Sequence, residues 1–252
     1  MEARSLLQVS IMKDKNLRIL STRPLDEALV NKASEHQIII DSISFIKTQK
    51  IIDTDLSKEI NDLASGSITA VFTSMNGAEA VIENLKEHNL QPFWKIYCLE
   101  SATLSLIKDY FVSAKISAQG RNALELSQAI IRDNVKEVVF FCGDQRRDEL
   151  PQQLQKSDIE VKEIVVYKTN EIPEKVDKEY DGILFFSPSA VKSFFSVNSI
   201  SPDAVLFSIG TTTADAIKKS CKNPVIISDF PSKEKLVEEV IAYFDKTNQP
   251  DD

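Results

Sequence analysis

VFTSMNGAEAV (71–81) and LFFSPSAVKSF (184–194) are two copies of one pattern: an apolar strand ends in a serine, Ser74 or Ser187, and a helix follows. Downstream of each, at nearly the same separation, YCLESATLSLI (97–107) matches FSIGTTTADAI (207–217). A further match runs in the opposite order: LRILSTRPLDEAL (17–29) lies over VVFFCGDQRRDEL (138–150), and ISFIKT (43–48) over IVVYKT (164–169). Self-similarity over so long a period signals a duplicated unit. The reversed order means that one copy is split by the other, so the chain must cross between the copies twice. Two adjacent crossings in opposite directions form a two-stranded antiparallel connector, with strand-end loops facing an inter-domain cleft. Domain 1 is expected to comprise 1–40 and 170–252, domain 2 to comprise 46–164, and 41–45 and 165–169 to be the hinge strands.

Outward from these repeats, short β-branched runs alternate with longer helical patterns. Strands are expected at 17–21, 68–73, 95–99, 137–142, 182–186, 205–209 and 224–227. Each is nearly all apolar, as a parallel strand covered on both faces should be. Helices are expected at 78–88, 103–111, 123–133, 190–196, 213–220 and 233–244, where Leu236, Val240 and Phe244 form one stripe. Asp148 and Glu149 read as another helix start, whereas Asp53 and Asp55 in IIDTDLS read as a solvated turn. Strand–helix alternation with short connections makes an α/β fold.

The 252 residues hold 42% hydrophobic and 27% charged residues, the balance of a soluble globular chain. Thirty Lys+Arg against 38 Asp+Glu leave a formal charge of −8, which argues against nucleic-acid or anionic-membrane binding. No run approaches the roughly 18 apolar residues of a membrane span. The opening MEARSLLQVSIMKDKN lacks a signal layout, because Lys13 and Lys15 follow its apolar stretch. Three scattered cysteines, Cys98, Cys142 and Cys221, read as buried small residues in a reducing cytoplasm. Two histidines, with no CxxC or HExxH spacing, supply no metal site. GxxxxGK[ST], GxGxxG and GxSxG are absent too, leaving phosphate-loop, dinucleotide and serine-hydrolase chemistry unsupported. The tail 246–252 is polar and expected to fray.

The predicted strand ends carry small hydroxyl, amide and glycine residues: Thr73, Ser74, Asn76 and Gly77; Gly120; Ser187 and Ser189; and 210–213. Any one of these is an ordinary helix cap. Taken together, on loops at the carboxyl ends of parallel strands, they suit a polyanion received by helix N-termini. Arg23 in STRP and Arg146 in CGDQRR are candidate charge partners. Tyr167 lies at the second crossing, where a phenol would be placed to give a proton or hydrogen bond to a leaving group.

FTSMNGAEAV, CGDQRRDEL, IVVYKT, LFFSPSAV, FSIGTTTADAI and FPSKEKLVEEV, in this order and spacing from Leu17 to Phe244, resemble the uroporphyrinogen-III synthase family. The resemblance implies a duplicated α/β fold, two similar flavodoxin-like parallel-sheet domains joined by a two-stranded ladder. It further implies the cyclisation of hydroxymethylbilane, a linear tetrapyrrole with eight carboxylates, with inversion of ring D and loss of water. No metal or organic cofactor is implied. Tyr167 matches the family's tyrosine and would assist departure of the hydroxyl group. Thr212 and Thr213 match its threonine pair and would hold side-chain carboxylates or the developing leaving group. Two features depart from the pattern. Glu100 stands opposite Gly210, so no binding role is carried onto that loop, and glycines that often close two of the family's helices are missing at His36 and Ser157. The rival expectation is a non-catalytic two-domain binding module for an anionic metabolite; a receiver-like regulatory domain is disfavoured by Ser21-Thr22-Arg23 after the first strand. A monomeric cytoplasmic protein completes the expectation.

Overall fold

The structure, a computed structural model, describes residues 16–247 except Ser101 and Ser113. The opening stretch and the end of the polar tail, both read above from sequence, lie outside the described residues. In chain order the elements are β1 (Leu17–Ser21), α1 (Glu27–Ser34), β2 (Ile38–Ser42), β3 (Ile46–Lys50), α2 (Thr54–Ala64), β4 (Thr69–Phe72), α3 (Met75–Glu87), β5 (Lys95–Leu99), α4 (Ala102–Tyr110), β6 (Lys115–Gly120), α5 (Ala123–Arg132), β7 (Glu137–Gly143), α6 (Glu149–Gln155), β8 (Glu160–Glu171), β9 (Gly182–Phe185), α7 (Pro188–Phe195), β10 (Val205–Ser208), α8 (Thr211–Ser220), β11 (Val225–Ile227) and α9 (Lys233–Thr247). These elements pack as two compact units. Unit 1 takes the described residues up to Lys47 and from Glu171; unit 2 takes Thr48–Asn170.

Unit 1 is a five-stranded parallel sheet of order β11-β10-β9-β1-β2. One face carries Ile19, Ile38, Leu184 and Phe207 against Leu29 and Ala33 of α1 and the Leu236–Val240–Phe244 stripe of α9. The other carries Leu20, Ile183, Phe185 and Leu206 against Val191 and Phe194 of α7 and Ile217 of α8. Alternate residues of one strand thus enter different cores, and burial on both sides is why these strands read as unbroken apolar runs. Read from β2, the order is the 2-1-3-4-5 of flavodoxin-like sheets.

Unit 2 is a six-stranded sheet of order β3-β8-β7-β4-β5-β6. Apart from the edge strand β3, a helix-linked pair (β7, β8) again lies beside three strands (β4, β5, β6). Here the three come first in the chain, which is why the third sequence match ran in the opposite order. An aromatic stack forms its larger core: Phe141 lies 5.2 Å from Phe72 and 5.6 Å from Trp94, whose indole N–H donates to the Leu63 carbonyl at 3.1 Å. Leu126, Ile130, Leu150 and Leu154, from α5 and α6, cover the opposite face.

Several boundaries differ from the sequence reading. The first expected crossing, 41–45, has no strand of its own. Asp41 and Ser42 end β2, which pairs with β1, and Ile46 opens β3 instead. Ile51 N–H donates to the Val166 carbonyl at 3.1 Å, and Ile172 N–H to that of Phe45 at 2.9 Å. Asp53 is a helix cap, not a solvated turn: its carboxylate accepts from Leu56 N–H at 2.9 Å and starts α2.

No glycine closes α1 or α6 because other residues take the left-handed conformation shortly after each helix ends. Gln37 (φ 61°) follows α1 and Asp158 (φ 56°) follows α6, with Asn89 and Asn134 doing the same after α3 and α5. Ile159 N–H then reaches back to the Leu154 carbonyl at 3.1 Å, a Schellman closure. Glutamine gains no local hydrogen bond there of the kind that reconciles Asn and Asp to this region, so the strain at exposed Gln37 is removable. Gln37→Gly should raise unfolding stability by about 0.5–1 kcal/mol, read as a higher urea midpoint at unchanged slope.

Candidate functional site

Parallel pairing gathers the strand ends of each unit on one edge. In unit 2, register places Tyr167 opposite Gly143, and the β7–β4 and β4–β5 pairings bring Thr73, Ser74 and Glu100 to the same edge. Ser74 is in extended conformation and caps α3, its hydroxyl accepting from Gly77 N–H at 3.1 Å. The same hydroxyl lies near the Tyr167 phenol and acts to lower its pKa.

Tyr167 is half-buried, and its ring lies over two glycines. A Cβ added at Gly143 would fall 2.5 Å from the ring's Cζ, and one at Gly77 would fall 3.7 Å from Cε1. Burial is the largest cause holding its phenol above the ordinary pKa; the nearby Cys142 and Asp144 act in the same direction, and the Ser74 hydroxyl opposes them. Burial also pushes the Cys142 thiol up to about 11. The edge therefore offers a neutral hydroxyl with its proton in place, beside a thiol that is not a thiolate at neutral pH.

The other unit 2 candidates are engaged in structure. Gly120 is buried, and a Cβ there would meet Leu126 N at 2.8 Å, so this glycine admits the first turn of α5. Its carbonyl accepts from Glu100 N–H at 2.8 Å. Arg146 is ion-paired with Glu163 on β8 and Asp148 ahead of α6, and those carboxylates keep it firmly protonated. Asn76 lies in the first turn of α3.

Unit 1 gathers Arg23, Ser187, Ser189, Thr212 and Thr213 on its own carboxyl edge. Arg23 is exposed, makes no ion pair among the described residues, and rests on the Phe186 ring at 5.6 Å. Ser187 caps α7, accepting from Ala190 N–H at 3.2 Å, and Pro188 follows at the first helical position. Helix α8 differs: Gly210 precedes it, and no side chain caps its first turn. Thr212 is half-buried there, while Thr213 is only 2% exposed. Phe230 follows β11 and is 52% exposed.

Among the described residues no group of three His, Cys, Asp or Glu is placed to hold a metal ion, and no helix is long and apolar enough to cross a membrane.

Residues 27–238 match the family model of uroporphyrinogen-III synthase HemD. The chain belongs to the uroporphyrinogen-III synthase family. It is a family of hydro-lyases that cyclise hydroxymethylbilane in heme biosynthesis. The uroporphyrinogen-III synthase of Saccharomyces cerevisiae is 24% identical over 96% of this chain and 98% of its own length. That of Schizosaccharomyces pombe is 30% identical over 45% of this chain and 46% of its own length. Two solved structures share the fold: a mutant synthase from Thermus thermophilus (TM-score 0.64, 15% identity, 93% of this chain and all of that one) and the enzyme from Helicobacter pylori (0.64, 18%, 90% and 99%). Two α/β units with parallel sheets are thus the family's architecture.

A phenol whose pKa is raised favours its protonated form, so Tyr167 adds to stability below its unfolded pKa and loses that contribution as pH rises through its folded one. With the ring 13Cζ labelled and assigned through Tyr167→Phe, its resonance should titrate at higher pH than that of a free tyrosine. Ser74→Ala should move the midpoint higher and Asp144→Asn lower; no movement in either would separate the phenol from these neighbours.

Proposed function

We propose that this chain closes hydroxymethylbilane to uroporphyrinogen III with Tyr167 as the proton donor. One observation carries the reading: the hydroxyl of Tyr167 is neutral, held over Gly143 and set at the strand-end edge. The reactant must lose hydroxide from its hydroxymethyl carbon. A proton passing from Tyr167 Oη to that hydroxyl lets it leave as water, with an electrophilic azafulvene left behind. The substituted carbon of ring D attacks, the resulting spiro intermediate rearranges with inversion of the ring, and the proton finally lost from the macrocycle restores the phenol. The reactant is intrinsically reactive, so most of the enzyme's task is orientation.

The substrate's carboxylates are expected to meet mainly neutral donors, with Arg23 as the one cation. Unit 1 offers Arg23, Ser187, Ser189, Thr212 and Thr213, together with the uncapped first turn of α8. Unit 2 offers Thr73, Ser74, Asn76, Gly77 and the backbone around Gly120. Arg146 belongs to this set only if the substrate displaces Glu163 or Asp148. A monomer acting in the cytoplasm, without nucleic acid, fits the acidic composition.

Product separation tests the reading. Freshly generated hydroxymethylbilane incubated with the protein should yield the type III isomer. Tyr167→Phe should lower turnover about 10- to 100-fold, in keeping with loss of a positioned acid, at nearly unchanged stability. Only the spontaneous type I isomer would make the chain a binding module, and unaltered kinetics in Tyr167→Phe would remove Tyr167 from the chemistry.

A further inference from the structure

We propose that Gly143 is a positioning residue for Tyr167: the side chain that position 143 lacks is the socket in which the phenol sits. The inference rests on the reading of Tyr167 as proton donor and adds what aims it.

Three observations converge. A Cβ built on Gly143 would fall 2.5 Å from Cζ, 2.6 Å from Cε2 and 2.8 Å from Oη, and all three of its nearest neighbours belong to the Tyr167 ring. Such separations are far inside van der Waals contact, so any other residue at 143 excludes the ring from its present place. The backbone does not demand glycine here, since no glycine among the described residues has a positive φ. The requirement is therefore steric and comes from the ring alone. In the matching stretch of unit 1 the sequence repeat has Thr22, and that side chain is buried, its hydroxyl donating to the Leu184 carbonyl at 2.8 Å.

The second observation is a register shift. Cys142 pairs with Val165, but Gly143 pairs with Tyr167, so Val166 is passed over as a bulge. A regular strand sends consecutive side chains to opposite faces; a bulge re-aims them. Val166 and Tyr167 accordingly both pack on the core formed with Phe72 and Phe141. The bulge turns the phenol towards β7, and the bare Cα of Gly143 receives it.

Thirdly, the strand carrying the phenol is fastened in this register by the two residues after Gly143. Asp144 N–H donates to the Tyr167 carbonyl at 3.1 Å, Thr169 N–H donates to the Asp144 carboxylate at 2.9 Å, and Gln145 Nε2 donates to the Thr169 carbonyl at 2.9 Å. GDQ at 143–145 thus acts as one device: a notch for the ring and two clamps on the backbone that bears it.

Gly143→Ala is the test, read alone and with Tyr167→Ala in the full-length protein. Expulsion of the ring should bring the Tyr167 13Cζ midpoint down towards 10 and lower kcat about 10- to 100-fold, as loss of the acid itself would, with KM within about threefold. In the Tyr167→Ala background Gly143→Ala should change kcat by less than about twofold, because residues acting as a unit are not additive. If Gly143→Ala alone fails to fold, adding Tyr167→Ala should restore folding. An unmoved Tyr167 resonance, equal losses in both backgrounds, or a misfolded single variant left unrescued would each overturn the inference. A displaced resonance with full turnover in both Gly143→Ala and Tyr167→Phe would sustain the socket and refute Tyr167 as proton donor.

Discussion

The features of the two edges depend on one constraint: parallel strands deliver their carboxyl ends, and the helix starts that follow, to the same side of the sheet. Backbone N–H groups left without intrahelical partners then collect in one place and favour negative groups. In a chain carrying a formal charge of −8, this is a means of receiving carboxylates that needs no surplus of lysine and arginine. It also shortens the reach of recognition, since these partial charges act within the first helical turn while the long-range field of the protein opposes an anion.

The duplication distributes the resources of the two edges unequally. In unit 2 the first turns of α3 and α5 are capped by Ser74 and Asn122, Arg146 is held by two carboxylates, and Glu100 follows β5. What remains distinctive there is the phenol in its glycine notch. In unit 1 the first turn of α8 has no side-chain cap, and Arg23 is free of ion pairs among the described residues. Copies of one pattern have thus diverged, one towards a placed hydroxyl and the other towards unengaged donors.

How much of this was legible in the sequence follows from what each element buries. β1, β5 and β7 were readable because strands covered on both faces are continuous apolar runs. β6 was not: KISAQG is an edge strand with few fully buried positions. Helix α2 escaped because TDLSKEINDLA buries only Ile60 completely, so its polar surface looked like a loop. Tyr167 was legible from its place at a crossing and from family resemblance. The bulge at Val166 was invisible, because β-branched residues look alike in or out of register. The pairing of Arg146 was hidden for a different reason: Glu163 lies on the neighbouring strand, and only the register of β7 with β8 brings it near. Gly143 gave no signal of its own, since a missing side chain declares its purpose only when the group filling the space is seen.

The most direct test of carboxylate reception by neutral donors is calorimetric titration of uroporphyrin III into the protein and its Thr212→Asp variant. Aspartate in the first turn of α8 suits the helix, so folding should survive. The added carboxylate should occupy the place of one from the ligand and weaken binding by at least about 1 kcal/mol, roughly fivefold in Kd. An unchanged Kd with the fold intact would contradict the account.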